Sequence, residues 1–231
     1  MRFRYPDSTK DLFDDLSLTV EPGEFVAVVG PSGSGKSSLL RLLLGFDRPD
    51  AGSISYDGKG LDTLDIGAVR EQLGVVLQKT DLLPGTIYQN IAGSSDVTSE
   101  QVWDAARNAA LDKDIARFPG GMATEVGDGV GVLSGGQRQR LQIARALVSS
   151  PRLMFMDEAT SALDNLTQSV VSRTVSAMPI TRIVIAHRLS TIAAADRVVV
   201  IAGGRVVQDG PFDLLADTPG PFAELIARQR L

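Results

Sequence analysis

Phe25-Val-Ala-Val-Val-Gly30-Pro-Ser-Gly-Ser-Gly-Lys36-Ser37-Ser38 decides the fold. Its first five residues form an unbroken apolar run rich in β-branched side chains, the pattern of a strand buried on both faces. From Lys36 to Leu44 the apolar spacing turns helical. Between them stands G-x-x-x-x-G-K-[ST], in the strand-before, helix-after setting that gives the pattern meaning. The glycines let the backbone curl so that successive N–H groups converge on phosphate oxygens. The helix that follows adds its positive end. Gly30, Pro31, Ser32, Gly33, Ser34 and Gly35 are therefore read as a phosphate loop. Lys36 is expected to reach the β- and γ-phosphates, and the Ser37 hydroxyl to ligate Mg²⁺.

Outward from this loop, short strands alternate with helical stretches. Gly74–Leu77, Leu153–Met156, Arg182–Ala186 and Arg197–Ile201 read as further buried strands. Ser99–Ala110, Gly136–Val148 and Asn165–Ala177 have helical spacing. Such alternation predicts an α/β fold with a mostly parallel sheet and helices on its faces. Residues 80 to 150 hold few strand signals, which predicts a helical sub-domain inserted between sheet strands. Leu153–Met156 ends in Asp157-Glu158, so two carboxylates emerge at a strand's C-terminal edge, where ligands sit in such sheets. Asp157 is placed to hold Mg²⁺ through water, and Glu158 to polarise an attacking water.

Composition narrows the chemistry. The 231 residues include no Cys and one His, which excludes disulfides, thiolate metal sites and multi-His clusters. At 43% hydrophobic and 22% charged the chain is not disordered, and its length suffices to bury about 70% of the unfolded surface. A net charge of −5 argues against a nucleic-acid surface. No apolar run approaches the roughly 18–20 residues that span a bilayer, and the first residues lack a signal-peptide core.

Leu133-Ser-Gly-Gly-Gln137 precedes the helix Gly136–Val148 and offers a second positive helix end. Phosphate loop, Leu133–Gln137, Asp157–Glu158, Ser161-Ala-Leu-Asp164 and Ala186-His187-Arg188 occur in the order found in ATP-binding cassette (ABC) ATPases. The chain resembles that family from Phe3 to its end. The resemblance implies the ABC version of the phosphate-loop fold: a mostly parallel core sheet with antiparallel N-terminal strands, a core of residues 1–78 and 151–231, and a helical sub-domain at 79–150. It implies ATP and Mg²⁺ as ligands. Tyr5 matches the aromatic that stacks on adenine, and Ser38 extends the phosphate loop. Gln78 matches the glutamine that touches Mg²⁺ and senses the membrane subunit. Ser134, Gly135, Gly136 and Gln137 match the signature that closes over the γ-phosphate held by an opposite protomer. Asp164 matches the loop linking two sites, and His187 the switch histidine at the γ-phosphate. The implied partners are a second such ATPase domain, in a homodimer, and a transmembrane domain on the same native polypeptide. The implied location is the cytoplasmic face of a bacterial membrane.

Finer features resemble exporters. Ala159 and Thr160 stand where importers usually show Pro after the Glu, and Leu83–Ile91, Thr124–Gly127 and Ile185–Ile192 have exporter form. Gly74–Gln78, Asp164–Gln168 and Ala227–Leu231 resemble exporters of the bacteriocin type. Two departures stand out. Asp128, Gly129 and Val130 replace the usual Glu-Arg-Gly, and Met1 falls almost on Tyr5, as expected of a domain excised from a longer chain. The alternatives are a free-standing importer subunit and a non-transport cassette protein acting on DNA or ribosomes.

Overall fold

The computed structural model describes residues 1–78, 81–127, 133–157 and 162–229. Along the chain run β1 (Phe25–Val29), α1 (Lys36–Leu43), β2 (Ser55–Tyr56), β3 (Lys59–Gly60), α2 (Ile66–Glu71) and β4 (Leu73–Val76). Next come β5 (Gly85–Thr86), α3 (Ile87–Ala92), α4 (Ser99–Asn108), α5 (Asp112–Ile115), β6 (Glu125–Val126) and α6 (Gly135–Leu147). The order ends with β7 (Leu153–Asp157), α7 (Asn165–Ser176), β8 (Thr181–Ile185), α8 (Leu189–Ile192), β9 (Arg197–Ala202), β10 (Arg205–Gly210), α9 (Phe212–Asp217) and α10 (Pro221–Gln229). The five strands read from the sequence are β1, β4, β7, β8 and β9, each within a residue of its expected bounds.

The chain divides into two units. The first, residues 1–70 and 181–231, is built on the strand order β10-β9-β1-β8. All five residues of β1 are buried, because strands lie against it on both sides and side chains cover both faces. β1 runs parallel to β8 and β9, whereas β10 returns antiparallel to β9 through a bulge at Val206/Gln208. The N-terminal segment pairs antiparallel through the bridges Arg2–Ala51 and Phe3–Phe13, and β2 pairs antiparallel with β3. Phe13 is fully buried.

The second unit, residues 71–180, pairs β4 with β7 in parallel and β5 with β6 antiparallel. Its core gathers Val76 and Met154 from the strands with Ile87, Ile91, Val102, Leu141, Ile143 and Val175 from the helices. α3, α4 and α6 each open on a capping box, Thr86/Gln89, Thr98/Gln101 and Ser134/Gln137. In each, the Ser or Thr oxygen accepts the third residue's N–H while the Gln oxygen accepts the cap's own. The division at 70/71 and 180/181 differs from the expected boundaries at 78/79 and 150/151. The physical reason is that β4, β7 and α7 bury their apolar faces in the same core as the inserted helices.

Candidate nucleotide site

The phosphate loop begins where β1 ends. Gly30, Gly33 and Gly35 take φ values of +152°, +77° and +95°, conformations in which side chains are strained. At Gly30 space forbids one as well: a Cβ there would lie 2.1 Å from the Ile201 carbonyl oxygen of β9. At Gly35 a Cβ would meet the Phe13 ring at 2.7 Å, so the loop rests directly on that buried aromatic. Phe13 is a supporting residue that the sequence reading missed. Its only signal was a pair of bulky apolar side chains, Leu12 and Phe13, between Asp11 and Asp14.

α1 starts at Gly35 with no side-chain cap and no acidic residue in its first turn, while Arg41 sits in its last. Its first-turn amides and positive dipole end are thus left for an anion. The Lys36 ammonium is buried and donates to the Gly30 and Pro31 carbonyl oxygens at 2.9 and 3.0 Å, which folds it back across the loop. Ser34 Oγ is buried and has no hydrogen-bond partner, an unspent polar atom beneath the loop. These features fit a phosphate. Tyr5 lies at the start of the same helix: its hydroxyl donates to Ser38 Oγ at 3.0 Å and its ring packs edge-on against Phe3 at 5.0 Å. Ser32 is exposed on the loop and Ser37 in the first turn of α1.

Parallel pairing aligns the rest. Val28 is level with Ile185, so His187 leaves β8 at the same strand edge from which the phosphate loop leaves β1. His187 is exposed there. In the second unit Val76 is level with Met156, so Gln78 and Asp157 emerge together at the C-terminal edge of the β4–β7 pair. Asp157 is buried and Gln78 exposed. The side chains expected at the metal, Ser37, Gln78 and Asp157, offer only oxygen donors, which suits Mg²⁺.

Ser134 caps α6, and Gly135 and Gly136 form its first turn. Gln139, buried on the same helix, accepts the Ala162 N–H at 3.0 Å and ties the chain before Asp164 to α6. Asp164 caps α7, accepting from the Leu166 and Thr167 amides at 3.0 Å each and from the Thr167 hydroxyl at 2.7 Å. The hydroxyl bond is the largest contribution holding its carboxyl below the usual range. The expected base Glu158, with Ala159, Thr160 and Ser161, lies outside the described residues, as do Asp128, Gly129 and Val130 and the terminal Arg230 and Leu231. Among the described residues no helix is long and apolar enough to cross a membrane.

The family model described as "ABC transporter" matches residues 13–161. The mycobactin import ATP-binding/permease protein IrtB of Mycolicibacterium thermoresistibile is 42% identical over 233 residues, covering all of this chain and 40% of that protein. A sophorolipid transporter of Starmerella bombicola is 41% identical over 239 residues, covering all of this chain and 18% of that protein. Among solved structures, a bacterial Atm1-family ABC exporter with ATP bound superposes with a TM-score of 0.95 at 42% identity, over all of this chain and 41% of that one. The chain thus spans less than half the length of each of these relatives. The expected exporter-type likeness holds, whereas none of the three carries a bacteriocin name. The match across most of the chain, with the phosphate loop and the capped Ser134–Gln137 helix in place, shows that the chain belongs to the ABC transporter family.

Proposed function

We propose that this chain is the ATP-hydrolysing motor domain of an ABC exporter whose transmembrane domain lies on the same native polypeptide, at the cytoplasmic face of a membrane. The observation that carries the reading is the phosphate loop, with its positive-φ glycines, its uncapped α1 and its inward-folded Lys36. Tyr5 takes the adenine ring. Backbone amides of Gly30–Ser38 and the Lys36 ammonium take the β- and γ-phosphates. Ser37, Gln78 and Asp157 hold Mg²⁺, which when bound neutralises charge on the phosphate oxygens. Glu158 accepts a proton from the attacking water, and His187 donates a hydrogen bond to the γ-phosphate.

Two copies pair head-to-tail around a two-fold axis, each ATP being held by one phosphate loop and by Ser134–Gln137 of the other copy. The γ-phosphate is then contacted from both sides. Hydrolysis removes it and releases the pair, a nucleotide-driven switch. The lengths of the relatives support a membrane partner in the same chain, since this chain accounts for 40% of a protein named as both ATP-binding and permease. That relative is named for import, and in this reading selectivity for cargo lies in the membrane domain.

Glu158→Gln tests the reading. Turnover should fall by about 10²–10⁴-fold, the usual worth of a general base. ATP binding should persist and trap a dimer, seen by analytical ultracentrifugation. Wild-type turnover in that variant would remove Glu158 from the chemistry.

A further inference from the structure

α6 presents the Gly135 and Gly136 amides at its N-terminus, where a helix leaves them without intrahelical acceptors. What sets their direction is the capping box. The Ser134 N–H donates to Gln137 Oε1 at 2.9 Å, and the Gln137 N–H donates to Ser134 Oγ at 3.3 Å. The Gln137 side chain has one amide group, so its other end decides whether the box stays closed. That end is occupied: Gln137 Nε2 donates to Oδ1 of Asp114 on α5 at 2.9 Å. The second carboxylate oxygen of Asp114 accepts from Arg140 Nη1 at 2.7 Å. Arg140 returns to the first turn, its Nε donating to the Gly136 carbonyl oxygen at 3.3 Å, and its Nη1 also reaches the Ala110 carbonyl oxygen. The chain of bonds runs from α5 to the capping serine and back, through side chains only 14% (Arg140) and 20% (Asp114) exposed.

We infer that Asp114 and Arg140 are positioning residues for the Ser134–Gly136 anion site: Asp114 fixes the orientation of the Gln137 amide, and Arg140 fixes Asp114. The inference rests on the proposed pairing of two copies across ATP. It adds residues that lie outside the Leu133–Gln137 signature and touch no nucleotide. A carboxylate is required at 114, since it alone accepts from the Gln137 amide and the Arg140 guanidinium through two charged oxygens. With Asn there, one partner faces an N–H₂ instead of an acceptor. The Gln137 amide then swings or flips, the box opens, and the amides at Gly135 and Gly136 lose their common aim.

The test is made in the Glu158→Gln background, where ATP-driven dimerisation is the readout. Asp114→Asn should weaken that dimerisation at least tenfold while the affinity of the monomer for a fluorescent ATP analogue changes less than twofold. Gln137→Glu should also weaken dimerisation, because Glu still caps Ser134 but sets a carboxylate against Asp114. Combining the two restores a hydrogen bond of reversed polarity, donated by the new amide on α5 to the new carboxylate on α6, and should recover most of the lost dimerisation. Should Asp114→Asn lose its circular dichroism signature of folding, Arg140→Gln carries the test alone, because it removes the guanidinium that fixes Asp114 and touches no nucleotide. Dimerisation equal to the parent's, or losses that simply add in the double variant, overturns the inference alone. A parent that stays monomeric with ATP overturns the paired-site reading, and the inference with it.

Discussion

Asp114 shows how one side chain couples folding to pH. Burial alone would raise its pKa, but the hydrogen bonds from Gln137 and Arg140, with the charges of Arg140 and Arg117, outweigh that and hold the carboxyl below its ordinary range. A carboxyl with a lowered folded-state pKa stabilises the fold above its unfolded pKa, and that contribution is lost as pH falls through the depressed value. The stability difference between the wild type and Asp114→Asn should therefore be largest near neutral pH and shrink in acid, as measured by urea unfolding at pH 7 and near pH 3. A constant difference across that window would mean that Asp114 acts through shape and not through charge. The candidate positions of the proposed site were legible at this scale. Lys36, Asp157 and Ser134 could be singled out as candidates by motif and context, because a phosphate loop needs glycine and lysine at fixed spacing. Asp114 could not: its partners lie 23 and 26 residues away, and nothing local distinguishes it from the neighbouring Asp112.

Among elements, legibility followed length and apolar content. β1, β8 and β9 announced themselves because strands buried on both faces read as continuous aliphatic runs. β5 and β6 could not, since two residues carry no period. The edge strand β10 alternates exposed and half-buried residues and escaped notice for want of an apolar run. The capping boxes of α3, α4 and α6 were readable in principle as Ser or Thr followed three residues later by Gln. They fix where these helices start, and α4 offers the cleanest test because no nucleotide role is assigned to it. Thr98 accepts the Gln101 N–H at 3.3 Å, and the helix it opens buries Val102, Ala105 and Ala106. Thr98→Ala should lower unfolding stability by about 1 kcal/mol, the usual worth of such a cap, with an unchanged denaturant slope. A loss within error of zero would show that burial of the α4 face sets the helix start unaided.

At the scale of the molecule, two cores each have their own strands and helices. Tyr5, Lys36, Ser37 and His187 belong to the first, and Gln78 and Asp157 to the second. The sequence boundary at 78/79 separated strands from helices, yet a core is defined by what packs together. β4 and α6 share one, as Val76 and Leu141 show. Trp103, the only tryptophan, lies on α4 and packs against the core of the second unit, so its fluorescence reports the melting of that unit. A ligand bound only by the folded state stabilises by about 2.7 kcal/mol at a hundred times its dissociation constant. For a chain of this size each kcal/mol raises Tm by roughly 2–4 °C, so saturating Mg²⁺-ATP should shift the melt by roughly 5–10 °C. If Gln78 and Asp157 take part in holding the nucleotide, the Trp103 transition should rise together with the circular dichroism transition. Lys36→Ala should abolish both shifts, because the removed ammonium is the cation folded into the phosphate loop. A Trp103 transition that stays fixed while circular dichroism moves would confine the hold on ATP to the first unit and strip Gln78 and Asp157 of their assigned roles.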